Sequence, residues 1–131
     1  MATVKDLLQT ADYKSEKHVP FIELEGKVQK GEWLSVRVSV GKEIPHPNTT
    51  EHHISWFELY FLPQGEKFPQ QLARFECASH GASVQGPNAS TIYTAPVLTC
   101  AFKTDKPGAL HALSFCNIHG IWESSKDLTL E

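Results

Sequence analysis

Residues 32–40 alternate with a period of two: Leu34, Val36, Val38 and Val40 fall on one side of an extended chain, Trp33, Ser35, Arg37 and Ser39 on the other. Successive side chains of a strand point to opposite faces, so this pattern predicts a strand with one buried face. Residues 54–62 (ISWFELYFL) are apolar or aromatic at most positions and predict a second, more deeply set strand. Further strands are expected at 21–24, 71–78, 91–102 and 109–115, with a last short one at Ile121 and Trp122. Between them lie the turn signals Pro63-Gln64-Gly65-Glu66, Gly81, Gly86-Pro87-Asn88 and Lys106-Pro107-Gly108. Helical spacing occurs once: Val4, Leu7, Leu8 and Ala11 recur behind Thr3 as a cap, which predicts one short amphipathic helix over 4–11.

Short strands divided by turns, with almost no helix, describe an all-β chain: an immunoglobulin-like antiparallel β-sandwich of Greek-key kind with one short N-terminal helix. A length of 131 residues suits a single domain, residues 1–131, whose N-terminal segment of about 1–15 carries the helix. A domain of this size buries roughly two-thirds of the surface its unfolded chain exposes, which leaves no room for a second core. Neither an internal repeat nor a low-complexity linker interrupts it.

Charge and cysteine content narrow the setting. Lys and Arg number 12 against 15 Asp and Glu, a formal net charge of −3, so no basic footprint points to nucleic acid. The start, Met1-Ala2-Thr3-Val4-Lys5-Asp6-Leu7, lacks the basic and apolar stretches of a secretory signal, and no apolar run approaches the ~20 residues that span a bilayer. Three cysteines, Cys77, Cys100 and Cys116, are too few and of the wrong parity for a disulfide scaffold, which points to a reducing, cytoplasmic setting. Asn48-Thr49-Thr50 and Asn88-Ala89-Ser90 match the glycosylation sequon, and without a secretory signal they read as loop sequence.

The chemistry concentrates in the breaks of the strand pattern. Cys116-Asn117-Ile118-His119-Gly120 sets a thiol and an imidazole three positions apart, close enough to share one metal ion. Two ligands do not hold a transition metal, so further histidines are required. His46 stands between Pro45 and Pro47, which stiffen the loop that aims it, and His18 lies in a polar segment ahead of the first strand. If His52 and His53 begin the strand of 54–62, alternation lets only one of them face the ion. His80 and His111 read as surface or packing residues, and Cys77 and Cys100, within apolar strands, as buried inert thiols.

Three motifs in order, Glu16-Lys17-His18-Val19-Pro20, then His46-Pro47 with Glu51-His52-His53-Ile54, then Cys116-Asn117-Ile118-His119-Gly120, span residues 16–120. In this the chain resembles the superoxide reductases, also called neelaredoxins and desulfoferrodoxins. The resemblance implies a mononuclear non-haem iron with four equatorial imidazoles, from His18, His46, His52 and His119, and an axial thiolate from Cys116. It also resolves the histidine pair in favour of His52. Five such ligands leave one octahedral position open, and an open position is what makes a site reactive. By the same resemblance the activity is one-electron reduction of superoxide to hydrogen peroxide, without release of dioxygen. Lys17 then draws in the anion, Glu16 is a mobile sixth ligand of the ferric ion only, and Asn117 shapes the turn about the Cys116 sulfur.

No cysteine precedes Cys77, so the chain resembles the one-iron class rather than members with an additional four-cysteine iron module. The resemblance further implies a rubredoxin as electron donor and a homo-oligomer, tetramer or dimer. Two other chemistries share parts of the pattern. A blue-copper electron carrier has cysteine and histidine ligands close together near its C-terminus, but its usual axial methionine is missing because Met1 is the only one. A structural zinc module holds four ligands and no open position.

Overall fold

The computed structural model describes residues 1–131. A helical turn α1 (Val4–Leu7) precedes seven strands: β1 (Phe21–Glu25), β2 (Leu34–Ser39), β3 (Ile54–Pro63), β4 (Gln70–Glu76), β5 (Val97–Phe102), β6 (Gly108–Cys116) and β7 (Gly120–Leu128). They form two sheets, β1-β2-β5 and β4-β3-β6-β7, and every strand pair is antiparallel. This is the β-sandwich that the strand pattern predicts.

The alternation of β2 does what its period requires. Leu34, Val36 and Val38, followed by Val40, point inward and meet Phe57, Leu59, Phe61 and Leu110 from the opposite sheet in one buried cluster. Burial of these side chains supplies the main drive for closing the two sheets, at about 25 cal/mol per Å² of apolar surface removed from water. On β6 the inward row is Leu110, Ala112, Ser114 and Cys116, all fully buried. Cys116 is therefore the last residue of a core-facing row, and its sulfur sits where the sandwich ends.

Three elements differ from the sequence expectation, each for a local reason. The helix stops at Leu7 instead of continuing to residue 11, because Leu8 turns extended and Gln9 joins β7: its N–H donates to Ile121 O at 3.2 Å and its carbonyl accepts from Glu123 N at 2.8 Å. Val4 and Leu7 consequently remain exposed. The strand expected over 91–102 begins only at Val97, since Pro96 has no N–H to give a ladder and Tyr93 bridges to His80 instead. The last strand is long, not short: β7 pairs with β6 from Gly120 to Leu128 despite its polar run Glu123-Ser124-Ser125-Lys126-Asp127, a composition that suits the edge of a sheet. No helix is long and apolar enough to cross a membrane.

Candidate metal centre

Three loops meet at the end of the sandwich where β3 begins and β6 finishes. Ile54 pairs with Cys116 across the β3–β6 ladder, and Cys116 pairs with Gly120 across the β6–β7 hairpin. These two register points bring the residues just before β3 beside the 117–119 turn. Gly120 adopts φ +82°, a left-handed conformation that glycine reaches without cost and that closes the turn around His119. His18 comes in from the segment ahead of β1, tied down by Ser114 Oγ, which donates to its carbonyl at 2.9 Å. His46 rides on a tight loop at Gly41: a Cβ at that glycine would lie 2.8 Å from His46 N.

The ligand atoms of His18, His52, Cys116 and His119 all lie within 4.8 Å of one another. His18 Nε2 is 3.0 Å from His119 Nδ1, and Cys116 Sγ is 3.7 Å from the same nitrogen. Two nitrogens each about 2.1 Å from one ion, at right angles, lie about 3 Å apart, so the His18–His119 spacing is that of neighbouring ligands. The His46 ring packs edge-on against both His18 and His52, with centroids 4.8 Å away in each case. Its Nδ1–H donates to Pro47 O at 2.6 Å, which leaves Nε2 as the free donor atom.

The Nε2 atoms of His46 and His52 are buried without a hydrogen-bond partner. Such orphans are rare in folded proteins and call for an ion or other partner. A set of imidazole nitrogens and one sulfur also matches the preferences of iron and its neighbours rather than of magnesium or calcium. The residues present thus fit a mononuclear metal. His46 also resists protonation: burial, above all, pushes its pKa down to about 4, against a smaller upward pull from its bond to Pro47. Burial lowers that of His52 as well, with the charges of the neighbouring imidazoles and Lys17 acting in the same direction. Both rings are therefore neutral and ready to ligate at ordinary pH.

Glu16 lies behind His18 rather than over the cluster. Its Oε1 accepts from His18 Nδ1 at 2.5 Å and from His18 N at 2.8 Å, which fixes Nε2 as the nitrogen that faces the other rings. Burial raises the Glu16 pKa, but the bonds from His18 and the attraction of its ring outweigh this and leave it below the usual carboxylate value. Lys17 is half-buried, enters no ion pair, and is close enough for its charge to act on both His46 and His52.

The histidine pair divides although both residues precede β3, which starts at Ile54. His52 joins the cluster, while His53 turns away, donates Nδ1–H to Thr49 O at 2.9 Å and stacks flat on His80, with centroids 3.5 Å apart and planes 4° apart. His80 is thus a packing partner. His111 stands half-buried on β6, far along the strand from Cys116. Cys77 is buried and its thiol is pushed up to about 11 by burial, whereas Cys100, expected to be buried, is half-exposed on β5.

Sequence pattern did not single out Trp122 as a site residue. Its indole stacks on His18, with centroids 5.0 Å apart, and its Nε1–H donates to His119 O at 3.3 Å. The signal available was an aromatic two residues after Gly120 at the start of a strand. The Cys116 sulfur receives the His119 N–H at 3.4 Å, an amide–sulfur contact within the turn that Asn117 begins.

A family model for desulfoferrodoxin matches residues 10–125. The chain belongs to the desulfoferrodoxin family. A superoxide reductase of Pyrococcus furiosus is 55% identical over 128 residues, covering 98% of this chain and 99% of that protein. A neelaredoxin of Megalodesulfovibrio gigas is 52% identical over 126 residues, covering 96% of this chain and 97% of that one. The reduced form of an Archaeoglobus fulgidus superoxide reductase (neelaredoxin) superimposes with a TM-score of 0.90 at 59% identity, over 95% of this chain and 99% of that one.

Proposed function

We propose that this chain is a superoxide reductase: superoxide takes one electron and two protons and leaves as hydrogen peroxide, and no dioxygen forms. The observation that carries this reading is the convergence of three imidazoles and one thiol within 4.8 Å, with the buried, unpartnered His46 Nε2 beside them. His18, His46, His52 and His119 would hold an iron ion through nitrogen and Cys116 through its thiolate. When bound, that iron supplies the electron and one coordination position left free by five protein ligands.

The chain's own residues do the rest. Lys17 sets an unpaired positive charge within electrostatic reach of His46 and His52, which raises the local concentration of a small anion against a net molecular charge of −3. Glu16 holds His18 by Nδ1 and so orients its Nε2; a ligating role for its carboxylate in the oxidised protein requires a swing away from that nitrogen. Cys116 receives the His119 N–H on its sulfur, and such bonds draw charge from a thiolate and tune the potential of a metal it holds. A rubredoxin-type carrier as electron donor, a homo-oligomeric state and a cytoplasmic location complete the proposal; three free cysteines support the last of these.

Mixing the ferrous protein with superoxide by stopped flow or pulse radiolysis tests the reading. Stoichiometric peroxide without dioxygen is the expected result. Dioxygen in equal yield would mean dismutation, and no reaction would mean an inert metal binder.

A further inference from the structure

The segment that presents His52 is gripped from two sides. On one side Asn117, between Cys116 and His119, accepts the His53 N–H on Oδ1 at 2.8 Å and donates Nδ2 to Glu51 O at 2.9 Å. On the other stands Asn88, from the 79–94 loop, more than 30 residues away in sequence. Its Oδ1 accepts from Thr50 N at 2.9 Å, its N–H donates to Thr50 Oγ1 at 3.0 Å, and its Nδ2 donates to both Glu51 carboxylate oxygens at 2.8 and 2.9 Å. Both polar groups of this side chain thus hold the two residues preceding His52, and Oδ1 also accepts from Tyr93 Oη at 3.4 Å.

The platform behind Asn88 is itself tied shut. Within the loop, Ser90 N donates to Gly81 O at 2.9 Å, Gly81 N to Ile92 O at 3.0 Å and Thr94 N to Ser79 O at 2.7 Å. Thr50 Oγ1 donates onward to His80 O at 2.6 Å, and the His80 ring lies flat on His53. Asn88 has φ 57°, the only left-handed residue of the chain that is not glycine. Asparagine tolerates this conformation better than most residues, yet glycine holds it with no penalty. A backbone need alone, the N–H bond to Thr50 Oγ1 included, would be served by glycine; the three side-chain bonds would not.

We propose that Asn88 is a positioning residue for the metal centre, fixing through Thr50 and Glu51 the place from which His52 ligates. The inference rests on the reading of His52 as an iron ligand. Residues that orient ligands from outside the coordination shell change metal affinity by about 10–100-fold when removed.

Asn88→Gly keeps the backbone conformation and deletes the side-chain bonds. Glu51→Ala removes only the carboxylate that Asn88 holds, from an exposed side chain. Iron-loaded wild type, Asn88→Gly, Glu51→Ala and the double variant are challenged with a ferrous chelator, and iron release is followed together with the visible thiolate-to-iron band of the oxidised protein. The expected result is release about tenfold faster in Asn88→Gly, with a shifted band, and a smaller acceleration in Glu51→Ala. Because the two residues share one contact, the double variant releases no faster than Asn88→Gly alone. Wild-type release and band in Asn88→Gly, or additive effects in the double variant, overturn the proposal. If Asn88→Gly fails to fold, wild-type release from Glu51→Ala overturns it and faster release supports it. A wild-type chain that takes up no iron overturns the reading of the site itself, and this proposal with it.

Discussion

The indole of Trp122 lies nearly parallel to the His18 imidazole, 15° between planes, and donates its N–H to the carbonyl of His119. One side chain thus touches two of the converging residues, from chain segments that are 101 positions apart. Trp122→Ala removes the stack and the hydrogen bond together; Trp122→Phe keeps a ring for the stack. The alanine variant is expected to lose iron more readily and to shift the visible band of the oxidised protein, with phenylalanine intermediate. Titration against a competing chelator measures the first effect and absorption spectroscopy the second.

Lys17→Ala is expected to leave iron binding intact and to slow the reaction with superoxide by about tenfold at low salt, a loss that shrinks as ionic strength rises. Rate constants measured across a salt series decide this: an unchanged rate at low salt removes Lys17 from the path of the anion.

Cys116→Ser exchanges a soft thiolate for a hydroxyl at a fully buried position. The visible thiolate-to-iron band should vanish and the reductase activity with it, while the fold, whose core contacts at that position are nearly the same size, persists by circular dichroism. For Glu16→Ala the ferric spectrum should change and the ferrous reaction should be largely kept, as expected if the carboxylate ligates the ferric ion only; a slowed ferrous reaction would instead point to its bond with His18 Nδ1.

The apoprotein should lose stability as the medium is acidified. Burial holds the His46 pKa at about 4 and lowers that of His52, whereas unfolded histidines bind a proton near pH 6.5. Between those values the unfolded chain carries more protons than the folded one, so stability rises with pH across the window and falls as pH drops from about 6.5 towards 4. Denaturant midpoints of metal-free protein at pH 7 and pH 5 measure the effect, and equal midpoints would contradict it. With iron bound the dependence should steepen, because protons then compete with the metal for the same nitrogens.

The fold was legible where local pattern and tertiary role agree. Leu34, Val36 and Val38 alternate because one face of β2 is core, and the two sheets follow from many such runs. Legibility failed where a tertiary partner decided the outcome: Gln9 leaves the helix to pair with β7, and the polar run of β7 extends only because β6 offers a full ladder. The site divides the same way. Cys116 with His119 and His46 between prolines are visible as spacing and punctuation, whereas the choice of His52 over His53 comes only from the family resemblance. Trp122, Asn88 and Thr50 act through contacts across 30 to 100 positions, and a single sequence gives no sign of what lies opposite them.

The sequence distance between His18 and His119 has a consequence for biosynthesis. Their nitrogens meet only after β1 has been laid beside β2 and the β6–β7 hairpin has turned, and the second of these uses almost the last residues of the chain. A nascent chain emerging in order therefore exposes isolated histidines but no assembled pocket until residue 119 has emerged. A chain cut before Cys116 lacks two of the four converging groups and is expected to be a poor trap for a metal ion.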